Sequence, residues 1–309
     1  MLRVFQWVSL FLLSVPSSAF SDVTMDEVVQ GLQRTEMAVQ TLSVKSDFQT
    51  RQRLDVVPAS PEIALHGTTE VTVDALGRCR VKSTFDSWHL DDKQVVIDRD
   101  QSMLGVFDGK VAWTLQGTGK SAVGTIADNR GEVSLRLDPR NVSTHYFDQP
   151  VSSRLLKRGA SIVELSTWDG SPVLVVETTP TGDQDQRKVR FHIDPRRNFT
   201  IVRRAIAIRY PPHERWMEYT RIEGYDFREV QAGVWLPDRV VHESLDPTIE
   251  NASQGTAPPV AWHWDVKFTD WKVNPSLNDE TFELQFPLGI FVNNRITGKS
   301  YREGNEPSE

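Results

Sequence analysis

Apolar and polar residues alternate one by one through much of this chain. Val44, Ser46, Phe48 and Thr50 alternate with Lys45, Asp47 and Gln49. Val71 and Val73 alternate with Glu70, Thr72 and Asp74, and Cys79, Val81, Ser83 and Phe85 alternate with Arg78, Arg80, Lys82 and Thr84. The same period runs through Val189, Phe191 and Ile193, through Val202, Ile206 and Ile208, and most clearly from Trp262 to Trp271. A period of two gives a strand one dry face and one wet face. Gln94–Arg99 and Met103–Phe107 read as two further strands, and Asp108-Gly109 turns the chain into Val111, Trp113 and Leu115. Val163–Trp168 and Val173–Thr178 flank the turn Asp169-Gly170-Ser171-Pro172.

One segment breaks the rule. Met25, Val28, Val29, Leu32, Val39 and Leu42 fall on one helical stripe, and Thr24 with Glu27 forms a capping box at its start. This predicts a helix over 24–42 that must lay its stripe on a neighbour. Strands in sequence, joined by turns, predict antiparallel pairing, because parallel pairs need a crossover each time. The expected fold is mainly β (α+β): an antiparallel, strongly curved half-open β-barrel with the N-terminal helix covering its opening. Loops are expected at 56–66, 116–131 and 246–260. Residues 132–160 carry no clear period apart from a short helix near Ser153–Lys157.

Residues 1–19 read as an export signal: Arg3, an apolar run from Val4, and Ser17-Ser18-Ala19 before the cut. The run is too short to span a bilayer, which takes roughly 20 apolar residues. Residues 20–301 are then expected to form a single domain, with a disordered tail at 302–309. The protein is expected to be periplasmic or otherwise extracytoplasmic, soluble, and monomeric. A net charge of −7 argues against nucleic acid and against an anionic membrane surface as partners. Cys79 is the one cysteine, so the core must hold without a disulfide.

Candidate chemistry is sparse. Gly117-Thr118-Gly119-Lys120-Ser121 resembles the end of a phosphate loop, but Thr114 stands where the first glycine belongs. His242-Glu243 and His263-Trp264-Asp265 are local pairs without the clustered spacing of a metal site. Cys79 lies on the apolar face of its strand, where a thiol acts as a small hydrophobe. Asp91-Asp92 and Asp183 with Asp185 are turn-type acids. No catalytic residue, metal or cofactor is assigned, and an enzyme is not expected. The tryptophans say more. Trp88, Trp113, Trp168, Trp216, Trp235, Trp262, Trp264 and Trp271 fall mostly on strands. They fill a core, or they line a hollow that a curled sheet cannot plug.

Three segments, in order, resemble the periplasmic lipoprotein carriers and the wider lipoprotein-sorting superfamily. They are the helix running into Leu42–Thr50, the Phe107-Asp108-Gly109-Lys110-Val111-Ala112-Trp113 hairpin, and Asp279–Gly289 as a closing strand with its Pro-x-Gly turn. Gly224–Val230 and Gly233–Pro237 resemble the late strand pair of larger members. The resemblance spans about Thr24 to Val292. It implies an apolar cavity for lipid or for the acyl chains of a lipoprotein. The alternative is an envelope sensing or regulatory module of the same fold, acting through a membrane-protein partner. Parity alone nominates Phe48, Val71, Val73, Val81, Phe85, Trp113, Phe191 and Ile193 as lining residues. The early basic-proline turn of the plain carriers is absent; that hairpin reads Asp74-Ala75-Leu76-Gly77-Arg78.

Overall fold

The computed structural model describes residues 22–53, 63–91, 94–133, 138, 140–146, 149–182, 186–210 and 214–304. The predicted export signal, residues 56–62 of the first predicted loop, Asp92, Asp183, Asp185 and residues 305–309 of the predicted tail lie outside them.

The first element is helix α1, Met25–Ala38. Its capping box is formed: Glu27 N–H donates to Thr24 Oγ1 at 3.3 Å, and Thr24 N–H donates to Glu27 Oε2 at 2.8 Å. The helix ends earlier than its apolar stripe. Asn274 Oδ1 accepts from the N–H groups of Gln40 (2.8 Å) and Thr41 (3.2 Å), which draws the chain into the sheet. Leu42 is therefore a strand residue.

Six strands follow: β1 (Thr41–Gln52), β2 (Ile63–Asp74), β3 (Cys79–Asp91), β4 (Gln94–Phe107), β5 (Ala112–Gln116) and β6 (Val123–Ala127). Next come α2 (Arg140–Ser143), a small hairpin of β7 (His145–Tyr146) and β8 (Gln149–Pro150), and α3 (Val151–Arg158). The second half holds β9 (Ala160–Trp168), β10 (Ser171–Thr178), β11 (Gln186–Asp194), β12 (Thr200–Arg209), β13 (Met217–Gln231) and β14 (Val234–Leu245). It continues with α4 (Ile249–Gln254), β15 (Val260–Val273), β16 (Phe291–Asn294) and β17 (Lys299–Arg302).

Fifteen strands form one open sheet in the order β17-β16-β6-β5-β4-β3-β2-β1-β15-β14-β13-β12-β11-β10-β9. The two halves of the chain meet at β1, which pairs with β2 on one side and β15 on the other. Several expectations change. Residues 94–107 are one strand, with Asp100 bent to φ 53° inside it. The loop at 116–131 contains β6, and the loop at 246–260 contains α4. The sheet is not wholly antiparallel: β16 runs parallel to β6, with Phe291 beside Val123. The expected closing strand at 279–289 is a single 3-10 turn, Asp279–Phe282, and an irregular strap. Arg78 holds this strap through Asp279 at 2.6 Å, and Phe286 lies over Gly124 on the outer face. Arg302, assigned to the tail, is a ladder member opposite Phe291.

Two apolar cores fill most of the inner face. Beneath α1 and α3, Val28, Leu32, Val151, Leu155, Leu174, Phe191, Ile193 and Ile201 are almost wholly buried. The helix thus sits on a packed floor over β10–β12, which corrects the expectation that it covers an opening. The second core joins Leu42, Val44, Val71, Val73, Cys79 and Val81 to Leu236, Val240, Val266 and Phe268, with Val133 and Val142 laid over them. Val133 packs over Gly105 of β4, while α2 packs on β12, β13 and β14. In a flat sheet β4 and β12 would stand roughly 34 Å apart. The seven residues from Val133 to Arg140 reach at most about 25 Å. The inner face is therefore concave.

The outer face of the second half is held by charge. Lys188 and Arg190 both bind Glu177, Arg203 binds Glu218 and Glu223, Arg221 binds Glu243, and Arg239 grips Asp265 in two hydrogen bonds. Burial pushes the Glu177 and Glu243 carboxyls up, but their basic partners outweigh it and hold both below the usual range.

Candidate functional site

The dry face of β1 does not stay filled along its whole length. Towards its end, Phe48, Thr50 and Gln52 stand beside Val266, Trp264 and Trp262 of β15. On the other side they stand beside Gly67, Leu65 and Ile63 of β2. Ser83, Phe85 and Trp88 of β3 and Met103 of β4 complete a cavity of about 380 Å³ that opens to solvent. This is within the size range of small-molecule pockets.

The walls are aromatic and fixed in place. Phe48 stacks on Trp264 with ring centroids 5.3 Å apart and planes at 22°. Trp262 leans on Trp264 at 5.3 Å. The Phe48 ring crosses β2 at Gly67, where a Cβ would lie 2.4 Å from Phe48 Cζ; only glycine leaves room. Several polar groups of the wall bond one another. Trp262 Nε1–H donates to Thr50 Oγ1 at 2.6 Å, and Trp88 Nε1–H donates to Gln52 Oε1 at 3.2 Å. The Thr69 and Ser83 hydroxyls bond each other at 2.9 Å. Such bonds remove the cost of burying these groups and leave carbon as the surface presented to an occupant.

One side of the cavity is an arm. Pairing of β3 with β2 stops at Phe85–Gly67, and pairing of β4 with β5 stops at Met103–Gln116. Beyond those points, and a last bond of Ser102 to Gly117, the described residues of β3 and β4 pair with each other, after a register shift between Phe85 and Ser87. An Asp86–Arg99 ion pair crosses the base of this hairpin, and Trp88 hangs from it over the cavity. The rear is closed. Val142, Ile222, Val240, Trp264, Val266 and Phe268 leave only about 10 Å³ between them. The segment that closes it is anchored by a buried ion pair, Arg140 with Asp138, 2.8 Å between Nη2 and Oδ2. Burial pushes the Asp138 carboxyl up, yet the Arg140 charge and hydrogen bonds bring it net below the usual range.

A larger groove of about 790 Å³ lies on the opposite, solvated face of the same strands. Asp47, Gln49, His66, Thr68, Arg99, Asp265 and Lys267 line it. Phe48 and Phe85 also reach it, but polar and apolar surface are nearly matched there, whereas the inner cavity is mostly apolar and is the stronger candidate for an apolar occupant.

Of the eight nominated lining residues, the structure places Phe48 and Phe85 on the cavity. Val71, Val73 and Val81 share the inner face but lie deeper, in the packed core. Phe191 and Ile193 belong to the floor beneath α1. Trp113 alternates with the inward Ala112 and so points to the outer face. Trp88, Trp262, Trp264, Thr50, Leu65 and Met103 were not nominated. Their signal was parity: Trp262 and Trp264 continue the face of Val266 and Phe268, and Thr50 continues that of Phe48.

The other candidates stay apart. Cys79 is wholly buried, and burial pushes its thiol up. His263 Nδ1 bonds Glu243 Oε1 at 2.9 Å, and His242 Nε2 bonds Thr220 Oγ1 at 3.0 Å, in separate contacts. Residues 117–121 form a turn between antiparallel β5 and β6. Among the described residues no group of three or more His, Cys, Asp or Glu could hold a metal ion.

No protein-family model matches this chain, and no curated protein is similar to it in sequence. Among solved structures it is similar to a DUF1329 family protein from Desulfovibrio piger, with TM-score 0.46 and 9% identity over 84% of this chain and 96% of that one. It is also similar to a domain from Vibrio parahaemolyticus named for outer-membrane lipoprotein sorting, with TM-score 0.44 and 8% identity over 83% of this chain and 94% of that one. A third is the MucA/MucB complex of Pseudomonas aeruginosa, with TM-score 0.26 and 13% identity over 78% of this chain and 93% of that one.

Proposed function

We propose that this chain is an extracytoplasmic carrier or binding protein that holds an acyl chain, of a lipid or an acylated protein, without covalent bonds, in the hollow of a half-open barrel. One observation carries the reading: an open cavity whose walls are Phe48, Phe85, Trp88, Trp262 and Trp264, with the Trp88 and Trp262 indole N–H groups and the Thr69 and Ser83 hydroxyls already paired. Such a lining offers more to a hydrocarbon than to a polar ligand. Each buried CH₂ contributes roughly 0.8 kcal/mol. The leader-like residues 1–19 support export, and among the described residues no helix is long and apolar enough to cross a membrane.

Native mass spectrometry of protein purified from its own host, followed by lipid extraction, tests this. A lipid adduct lost on delipidation is expected. Protein that is always empty, and whose tryptophan fluorescence ignores brominated fatty-acyl probes, refutes it.

A second reading, a sensor acting through a protein partner, draws on the edge strand β9. Among the described residues β9 pairs with β10 alone, and Val163 and Leu165 are 47% and 45% exposed. Strand edges of this kind accept an added strand. Recovery of a specific membrane protein with the chain, abolished by Val163→Lys, is the result that favours it.

A further inference from the structure

Resting on the carrier reading, we infer that the cavity takes a single acyl chain of about fifteen carbons and excludes lipids that must bury two or three. The volume sets the scale. An engineered protein cavity of about 150 Å³ holds one benzene, six carbons. At that ratio the 380 Å³ enclosed by the aromatic walls corresponds to roughly fifteen carbons. Two chains of fourteen carbons need nearly double.

The walls cannot yield the difference cheaply. At the rear, Trp264, Val266 and Phe268 meet Val142, and the residual space of about 10 Å³ is too small for a methyl group. Enlarging it means displacing the segment anchored by Asp138 and Arg140, whose side chains are 2% and 5% exposed. Displacing that segment moves both charges out together and uncovers the apolar cluster that Val133 and Val142 cover. Towards α1 the inner face is occupied by Leu32, Phe191 and Ile193, all fully buried. Below, Thr69 and Ser83 bond each other, so the floor is closed by paired hydroxyls. On the side of the β3–β4 arm, Trp88 is tied across to Gln52, and the remaining direction is outward, past Leu65 and Trp262, where a headgroup meets water.

The test offers the full chain lysophosphatidylcholines of 10, 12, 14, 16 and 18 carbons, and phosphatidylcholine with two 14-carbon chains. Binding is read from tryptophan fluorescence. Stoichiometry is read by native mass spectrometry after gel filtration from vesicles containing both lipid types. Affinity is expected to rise roughly fourfold per added CH₂ and to level off near 14–16 carbons. One molecule per chain is expected, with the two-chain lipid retained at less than a tenth of the single-chain level. Leu65→Trp, placed in the cavity wall, brings the plateau to a shorter chain. If that variant does not fold, Met103→Trp serves the same purpose from the opposite wall. Retention of the two-chain lipid at a level similar to the single-chain one overturns the inference and leaves the carrier reading standing. So does a gain that continues undiminished through 18 carbons. Failure of every probe to bind overturns both.

Discussion

Gly67→Ala isolates the packing that shapes the cavity. The glycine is not in a left-handed conformation, so alanine is compatible with its backbone and, by stiffening the unfolded chain, would stabilise by about 0.4–1 kcal/mol. Space opposes this. The new Cβ would lie 2.4 Å from Phe48 Cζ and 2.8 Å from Phe85 Cβ. Overpacking of this kind costs about 1–3 kcal/mol, so a net loss of about 1–2 kcal/mol is expected. Phe48→Leu removes the ring, and with it a stack on Trp264 worth about 1 kcal/mol. In the double variant the clash with Cζ is gone, while the approach to Phe85 Cβ remains. The pair should therefore cost about 1 kcal/mol less than the sum of its parts. Urea unfolding followed by tryptophan fluorescence measures all four proteins, provided the slope m is unchanged. Additivity within about 0.3–0.5 kcal/mol, or a Gly67→Ala protein more stable than its parent, refutes the reasoning.

Two further outcomes follow from buried charge. His192 is 8% exposed, set against Trp168 with Arg203 and Arg190 beside it. Burial, then those two guanidiniums, push its pKa down to about 4. The unfolded chain takes up a proton near pH 6.5 and the folded one does not. The contribution of neutral His192 is thus complete above pH 6.5 and drains away as pH falls towards 4, by about 3 kcal/mol. His192→Gln should flatten that part of the stability curve, and equal slopes from pH 4 to 6.5 count against it. Arg140→Ala leaves Asp138 alone in the core and should cost about 3–5 kcal/mol at pH 7. Asp138→Asn in the same background should recover much of this, and a loss below 1 kcal/mol for Arg140→Ala shows that the pair does not anchor the rear wall.

What the sequence reveals here depends on whether a residue's neighbours share its period. β1, β3 and β15 are legible because each alternates for eight residues or more, and their inward faces are those expected. The cap of α1 is legible because Thr24 and Glu27 act locally. Its C-terminus is not, since Leu42 fits a helical stripe and a strand face equally well, and Asn274 decides between them from far along the chain. β6, five residues broken by Gly124, and β16, four residues ending in Asn293-Asn294, are too short to show a period and are fixed by pairing. The cavity is half legible. Parity puts Phe48 and Trp264 on one face, but nothing in it says which stretch of that face the chain covers itself. Among the described residues the cover includes Val133 and Val142, which lie in a stretch without periodicity. Nor does indole content mark the site: Trp216 lies under Lys188 and Arg209, and Trp235 under Arg197, as platforms for cations.

The seam between β1 and β15 carries a kinetic consequence. Thr50 receives its hydrogen bond from Trp262, a partner 212 positions away. As the chain folds from its N-terminal end, β1 has β2 on one flank and a bare ladder on the other until β15 arrives. Long-range closures of this sort are slow to form and leave nascent chains prone to sticking. The cavity straddles this seam, so its walls stand complete only once β15 has joined β1.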